Sequence, residues 1–159
     1  MTLTPKNSGW IEVICGSMFS GKTEELIRRV RRAEIAKMNT IIFKPNIDNR
    51  YSSNHIVSHN QSKMKSVVVN DINEIIDLSK EMDVIGIDEA QFFSDDLVKV
   101  SKTLAKENKR VVVAGLDTDF RGKPFGSMPA LMCESDYLDK LRAICVKCGN
   151  PASFSQRLI

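Results

Sequence analysis

Long apolar runs are missing from this sequence, and so are aromatic residues in any quantity. A helical membrane span needs about 20 consecutive apolar residues, whereas stretches such as Val111 to Gly115 end after a few, so no such span is expected. Residues 1–9 lack the apolar stretch of a secretory signal, which points to the cytoplasm and away from a membrane partner. Charge of one sign is also missing: 23 Lys and Arg face 20 Asp and Glu, a net charge of +3. That mildly basic balance suits an anionic ligand but falls short of a dedicated nucleic-acid binder, so a small-molecule partner is expected. Cysteine is sparse, at four residues. Cys15 and Cys133 stand alone, whereas Cys145 and Cys148 form a C-x-x-C. In a reducing compartment that pair reads as a metal knuckle or a redox dithiol before it reads as a disulfide.

What is present suits one globular unit of 159 residues, 42% hydrophobic and 27% charged. A chain of this length buries roughly 68–70% of its extended surface, so a core forms without staples. Short β-branched runs alternate with segments of helical period, the pattern of an α/β protein with a mostly parallel central sheet flanked by helices. Trp10 to Cys15 reads as the first strand. In residues 24–37 Leu26, Ile27, Val30 and Ala33 share one helical face, leaving Arg28, Arg29, Arg31 and Arg32 largely to solvent or to a subunit contact. Strands are expected at Thr40 to Lys44, Val67 to Val69, Val84 to Asp88 and Arg110 to Leu116. Asp71 and Glu74 have the spacing of a capping box ahead of a helix that buries Ile72, Ile75 and Ile76. Ser94 is placed to cap another helix, which carries Leu97, Val98, Leu104 and Ala105. Residues 46–62 have neither period and read as a long loop. Beyond Leu116 the pattern weakens.

Gly16-Ser17-Met18-Phe19-Ser20-Gly21-Lys22-Thr23 matches G-x-x-x-x-G-K-[ST] between an expected strand and an expected helix. The glycines let the backbone curl so that successive N–H groups face phosphate oxygens, and the helix N-terminus adds to the attraction. Lys22 would reach the outer phosphates and the Thr23 hydroxyl would ligate Mg²⁺. A chance Gly-Ser turn requires neither Lys22 and Thr23 nor a second motif, and a second motif exists. Val84 to Glu89 is an apolar strand ending in two carboxylates: Asp88 is placed for the Mg²⁺, and Glu89 to accept a proton from a hydroxyl or water. The competing reading is a pair of solvated acids at a strand end.

The chain resembles the thymidine kinases of the cellular and poxviral kind. The resemblance rests on G-S-M-F-S-G-K-T at 16–23, D-N-R-Y-S-S at 48–53, I-G-I-D-E-A-Q-F-F at 85–93, L-D-T-D-F-R-G-K-P-F-G at 116–126 and C-V-K-C at 145–148. It implies a P-loop, RecA-like domain over 1–142, followed by a small zinc-binding and lid region from 143 to 159 that is incomplete here. The implied reaction moves a phosphoryl group from ATP, with Mg²⁺, to the 5′-hydroxyl of thymidine. Glu89 is then the proton acceptor, and Arg50 and Lys22 stabilise the transferred group. Asp48 lies near the phosphates beside Arg50, Asp88 with Thr23 forms the Mg²⁺ site, and Gln91 belongs to a nucleotide-contacting stretch. Met18, Phe92, Leu116, Phe120 and Phe125 match the thymidine pocket, which suits a base with flat apolar faces. Ser155 and Arg157 match the start of the lid. The family also implies a homotetramer.

Cys145 and Cys148 supply half of a tetrahedral zinc site, which takes four ligands. The family draws the other half from a second C-x-x-C, which has no counterpart before Ile159, and neither His55 nor His59 is an obvious substitute. A truncated chain is therefore expected, with weakened zinc binding. A redox dithiol is the alternative for the pair, although no helix N-terminus follows to lower a thiol pKa. For the whole chain the competing function is a RecA-like, DNA-dependent ATPase that would use the P-loop, the Asp88-Glu89 strand end and the arginines of the first helix. An idle nucleotide-binding fragment is a third reading.

Overall fold

A computed structural model describes residues 8–47, 55–57 and 63–155. The elements run β1 (Trp10–Gly16), α1 (Lys22–Ile35), β2 (Thr40–Pro45), β3 (His55–Val57), β4 (Lys63–Lys65), β5 (Val67–Val69), α2 (Asn73–Leu78) and β6 (Val84–Ile87). A 3-10 turn (Ala90–Phe92) then leads to α3 (Asp96–Lys106), β7 (Arg110–Leu116), α4 (Met128–Glu134), β8 (Tyr137–Leu141), β9 (Ala143–Ile144) and β10 (Pro151–Ala152). The central sheet has six strands in the order β5-β2-β6-β7-β1-β8. Every neighbouring pair in it is parallel. This is the α/β architecture that the sequence implies.

Alternation along the strands divides the core into two layers. On β7, Val111 and Val113 join the layer of α2, α3 and α4 with Ile75, Leu97, Leu104 and Leu131. Val112 and Ala114 join the layer of α1 with Leu26, Ile27 and Val30. These side chains are essentially fully buried, and each Val, Leu and Ile among them contributes roughly 1.5–3 kcal/mol relative to exposure. Gly86 lets α1 approach, since a Cβ there would sit 3.1 Å from Ile42 Cγ1 and 3.2 Å from Leu26 Cδ1. Because the strands are parallel, their C-terminal ends share one edge of the sheet. The Gly16 end of β1 and the Ile87 end of β6 are separated there by β7 alone.

Local details depart from expectation where turn chemistry decides them. Asp71 does not form a capping box: its Oδ1 accepts from the Asn73 N–H at 2.9 Å, an Asx turn that starts α2 two residues on. Nor does Ser94 cap α3 through its side chain; the helix begins after Asp95 without a side-chain cap, and the Ser94 carbonyl accepts from the Leu97 N–H. The long loop of residues 46–62 contains β3, which pairs antiparallel with β4. The weakly patterned region beyond Leu116 holds α4 and β8, and β8 extends the main sheet past β1. After β8 the chain leaves that sheet, and β9 and β10 form a separate hairpin.

Candidate functional site

Where β1 ends, Gly16 takes φ 143°, Phe19 φ 63° and Gly21 φ 89°, so the chain curls before α1 begins at Lys22. No side chain caps that helix, and an uncapped helix N-terminus suits an anion. The loop closes on one carbonyl: Ser20 Oγ and Lys22 Nζ donate to Ser17 O at 2.7 and 2.6 Å. Burial pulls the Lys22 ammonium below its ordinary value, while Glu89, then Asp88, then Asp117 pull it back up.

Asp88 follows β6 and is buried. The Thr23 hydroxyl donates to it at 3.2 Å to Oδ2 and 3.4 Å to Oδ1, so α1 and β6 meet at a hydroxyl beside a carboxylate. Burial, and then repulsion from Glu89, push the Asp88 carboxyl up to about 7; the Glu89 N–H, the Thr23 hydroxyl and Lys22 act the other way. A buried carboxylate short of positive charge next to a hydroxyl is a donor set that suits Mg²⁺.

Glu89 sits at φ 52°, ψ 42°, a left-handed conformation that costs a non-glycine residue roughly 1–2 kcal/mol. The 3-10 turn follows it at once, and Gln91 fixes the result. Gln91 Nε2 donates to Glu89 Oε2 at 2.9 Å, and its Oε1 accepts from the Leu116 N–H at 3.0 Å. Gln91, expected among nucleotide contacts, is thus a buried bridge from the Glu89 carboxylate to the end of β7. The sequence marked Gln91 through the family resemblance, but its bond to the Leu116 N–H had no signal there.

Three of the expected apolar positions, Leu116, Phe92 and Phe125, lie beside that bridge or directly follow it. Phe92 and Phe125 meet edge to face, with centroids 5.5 Å apart and planes at 84°. The loop after β7 folds back to make this contact: Thr118 bridges Pro124, and the Phe125 N–H donates to Asp117 O at 3.1 Å. Gly126 is pressed so close that a Cβ would lie 2.7 Å from Gln91 O, at φ 54°. Phe92, Met18 and Phe120 are about half exposed, and Leu116 is half buried. The Arg121 guanidinium lies 5.8 Å from the Phe120 ring centroid.

The segment after β9 also reaches the P-loop, a contact with no signal in the sequence. Ser17 Oγ donates to Ala152 O at 3.3 Å, and the Met18 N–H donates to Ser155 Oγ at 3.0 Å. At the turn of the same hairpin the N–H groups of Cys148 and Lys147 donate to the Cys145 sulfur and hold its thiol below the ordinary range. No third His, Cys, Asp or Glu joins Cys145 and Cys148 at that turn among the described residues. Asp48, Arg50 and Arg157 lie outside the described residues.

The chain matches the thymidine kinase family over residues 9–159. Among solved structures it is similar to the genome packaging NTPase B204 from Sulfolobus turreted icosahedral virus 2 in complex with sulfate. That match has 16% identity and a TM-score of 0.53, over 96% of this chain and 98% of the other. The same NTPase in complex with ATP-gammaS matches at 20% identity with a TM-score of 0.47, over 82% of this chain and 74% of that one. At these identities the likeness concerns the fold, and the first match carries it.

Proposed function

The chain belongs to the thymidine kinase family, and from that premise we propose that it transfers the terminal phosphoryl group of ATP to the 5′-hydroxyl of thymidine. The observation that carries this reading is Glu89: a carboxylate held in a strained turn by Gln91, next to Asp88 and across from Lys22. A general base has to be aimed before substrate arrives, and Gln91 does the aiming. Glu89 accepts the proton of the 5′-hydroxyl. Lys22 exchanges the Ser17 carbonyl for phosphate oxygens, as the curled backbone from Gly16 to Thr23 takes the rest of the triphosphate. Arg50 and Asp48 are assigned the outer phosphates on the resemblance alone.

Thr23 and Asp88 would hold Mg²⁺, which supplies positive charge to the transferring group. The Cys145 turn would hold zinc in a structural role, with further ligands required to close the site. The base would lie among Met18, Phe92, Leu116, Phe120 and Phe125, and Ser155 would stand at its edge. In this reading residues 1–142 form the nucleotide-binding domain and the hairpin from 143 begins the lid, in a homotetrameric cytoplasmic enzyme. Among the described residues no helix is long and apolar enough to cross a membrane.

The DNA-dependent ATPase reading drew on the arginines of α1. Arg28 is paired with Glu25, and Arg29 with Glu25, Glu12 and Asp139, so two of these charges are already engaged within the fold. The deciding experiment supplies MgATP with a panel of deoxynucleosides and, separately, with single-stranded DNA. Stoichiometric dTMP from thymidine is expected. ATP hydrolysis stimulated by DNA, with no nucleoside monophosphate formed, would sink the kinase reading.

A further inference from the structure

The proposed reaction uses Asp88 and Glu89, yet a further carboxylate acts on Lys22 from the same edge of the sheet. Asp117 follows directly after β7, and its side chain is 5% exposed. Its Oδ2 lies 2.9 Å from Lys140 Nζ, while its Oδ1 has no hydrogen-bond partner among the described residues. Lys140 is on β8, and β1 lies between β7 and β8. In register, Cys15 pairs with Gly115 on one side and with Lys140 on the other. The ion pair therefore spans the end of β1 at Cys15, one residue before the P-loop begins. The Cys15 thiol registers both charges: burial and then Asp117 push it up to about 11, and Lys140 pulls against them. Gly16, the first P-loop residue, passes so near β8 that a Cβ on it would lie 2.3 Å from Leu141 O.

The two ends of the pair differ in exposure. Lys140 is half exposed and its charge is partly met by water, whereas the Asp117 carboxylate is dry. Neutralising a dry carboxylate beside a polyanion site has a consequence for ligand binding beyond any contribution to folding, because a stranded buried charge repels phosphate through a poorly screened medium.

We propose that Lys140 is a positioning residue for nucleotide binding: bonded to Asp117 across the end of β1, it cancels a buried negative charge at the root of the P-loop that would otherwise oppose the triphosphate. The inference rests on the P-loop being the ATP site.

Its test measures MgATPγS binding by calorimetry and ATP-dependent steady-state kinetics on the full chain, for K140M, K140R, D117N and D117N/K140M. K140M strands the Asp117 charge and weakens MgATPγS about tenfold or more, raising KM for ATP by more than it lowers kcat. K140R keeps the charge and stays within about threefold of wild type. D117N keeps a group that can accept from Lys140 and also stays within about threefold. In the double variant the stranded charge is gone, so most of the affinity lost in K140M returns, a coupling that purely structural damage does not produce. A double variant that binds no better than K140M, or an arginine that fails to rescue, overturns the proposal. If K140M does not fold, D117N decides: a loss of affinity well beyond threefold overturns it. Because ATPγS binding needs no acceptor, wild-type binding without thymidine phosphorylation would defeat the kinase reading and leave this one standing. A wild-type chain that binds no MgATPγS defeats both.

Discussion

Two acids are buried to nearly the same degree, Glu12 at 6% exposure and Asp88 at 5%, and their surroundings treat them oppositely. Glu12, low on β1, is ringed by donors. Arg110 pairs with both of its oxygens, Arg29 Nη1 lies at 3.0 Å, and Trp10 Nε1 donates at 2.8 Å. Burial raises its pKa, but Arg110, Trp10 and Arg29 together outweigh burial and hold the carboxyl below its ordinary value. Asp88, at the other end of the sheet, has a hydroxyl, a backbone N–H and the Lys22 and Lys44 ammoniums against burial and a second carboxylate, and burial wins, so its pKa rises. A buried charge whose partners are complete belongs to the fold. One left short of partners is a cost to the fold, and in the proposed function that cost is met when Asp88 takes its ligand.

That contrast is tested most strongly by removing a charge from each cluster. Glu89→Gln should lower kcat for phosphoryl transfer by about 10²–10⁴-fold, the usual contribution of a general base. MgATP affinity should stay within a few-fold in a binding titration. Loss of ATP binding together with turnover would mean that Glu89 holds the nucleotide and not the acceptor proton. Glu12→Ala strands Arg110 and part of the Arg29 network, and should cost about 3–5 kcal/mol in denaturant unfolding. The fraction that remains folded should keep wild-type KM and kcat. Altered kinetics in that variant would break the division between structural and functional charge.

A smaller effect, of opposite sign at the two sites, is expected in pH titrations of stability in metal-free buffer. The Asp88 pKa is raised from 3.8 to about 7, so its stabilising contribution is complete below 3.8 and is lost as pH rises towards 7. Asp88→Asn should therefore be more stable than wild type by roughly 1–3 kcal/mol at pH 8 and by little at pH 4. Glu12 is lowered from 4.5, so its contribution is present above 4.5 and fades as pH falls through the depressed value. Parallel pH profiles for Asp88→Asn and wild type would refute the claim that Asp88 is under-compensated.

The loop before α1 and the end of β6 were legible because their residues are consecutive. Gly16 to Thr23 fixes a turn, a helix start and an ammonium in one stretch, and Asp88 and Glu89 end an apolar strand. Pairings made by the tertiary fold were not legible. Nothing local joins Glu12 to Arg29 and Arg110, Gln91 to Leu116, or Met18 to Ser155, since each depends on which strands become neighbours. β8 escaped notice for a related reason: Tyr137–Leu141 is an edge strand with half-buried ends and an exposed middle, so it lacks the apolar run of β6 and β7. The Asp71 turn shows the remaining limit, because a capping box and an Asx turn begin with the same residue and differ only in which N–H the carboxylate meets.

The smallest expected effect lies between the two charge clusters in kind, on the aromatic pair beside Glu89. Phe92 and Phe125 meet edge to face, a geometry worth about 0.5–1.5 kcal/mol beyond buried area. Phe125→Leu keeps apolar volume but removes the ring edge, so KM for thymidine should rise up to roughly tenfold. The base would be held less well while the Glu89 carboxylate, fixed by Gln91 and not by either ring, keeps its aim, so kcat should change by less than about twofold. If kcat falls and KM does not, the rings take part in aligning Glu89, because a contact used only to hold the base weakens ground state and transition state together. The aromatic wall would then join the under-compensated acids as reaction machinery, and the line between binding and chemistry would run outside Phe125 instead of between Phe125 and Gln91.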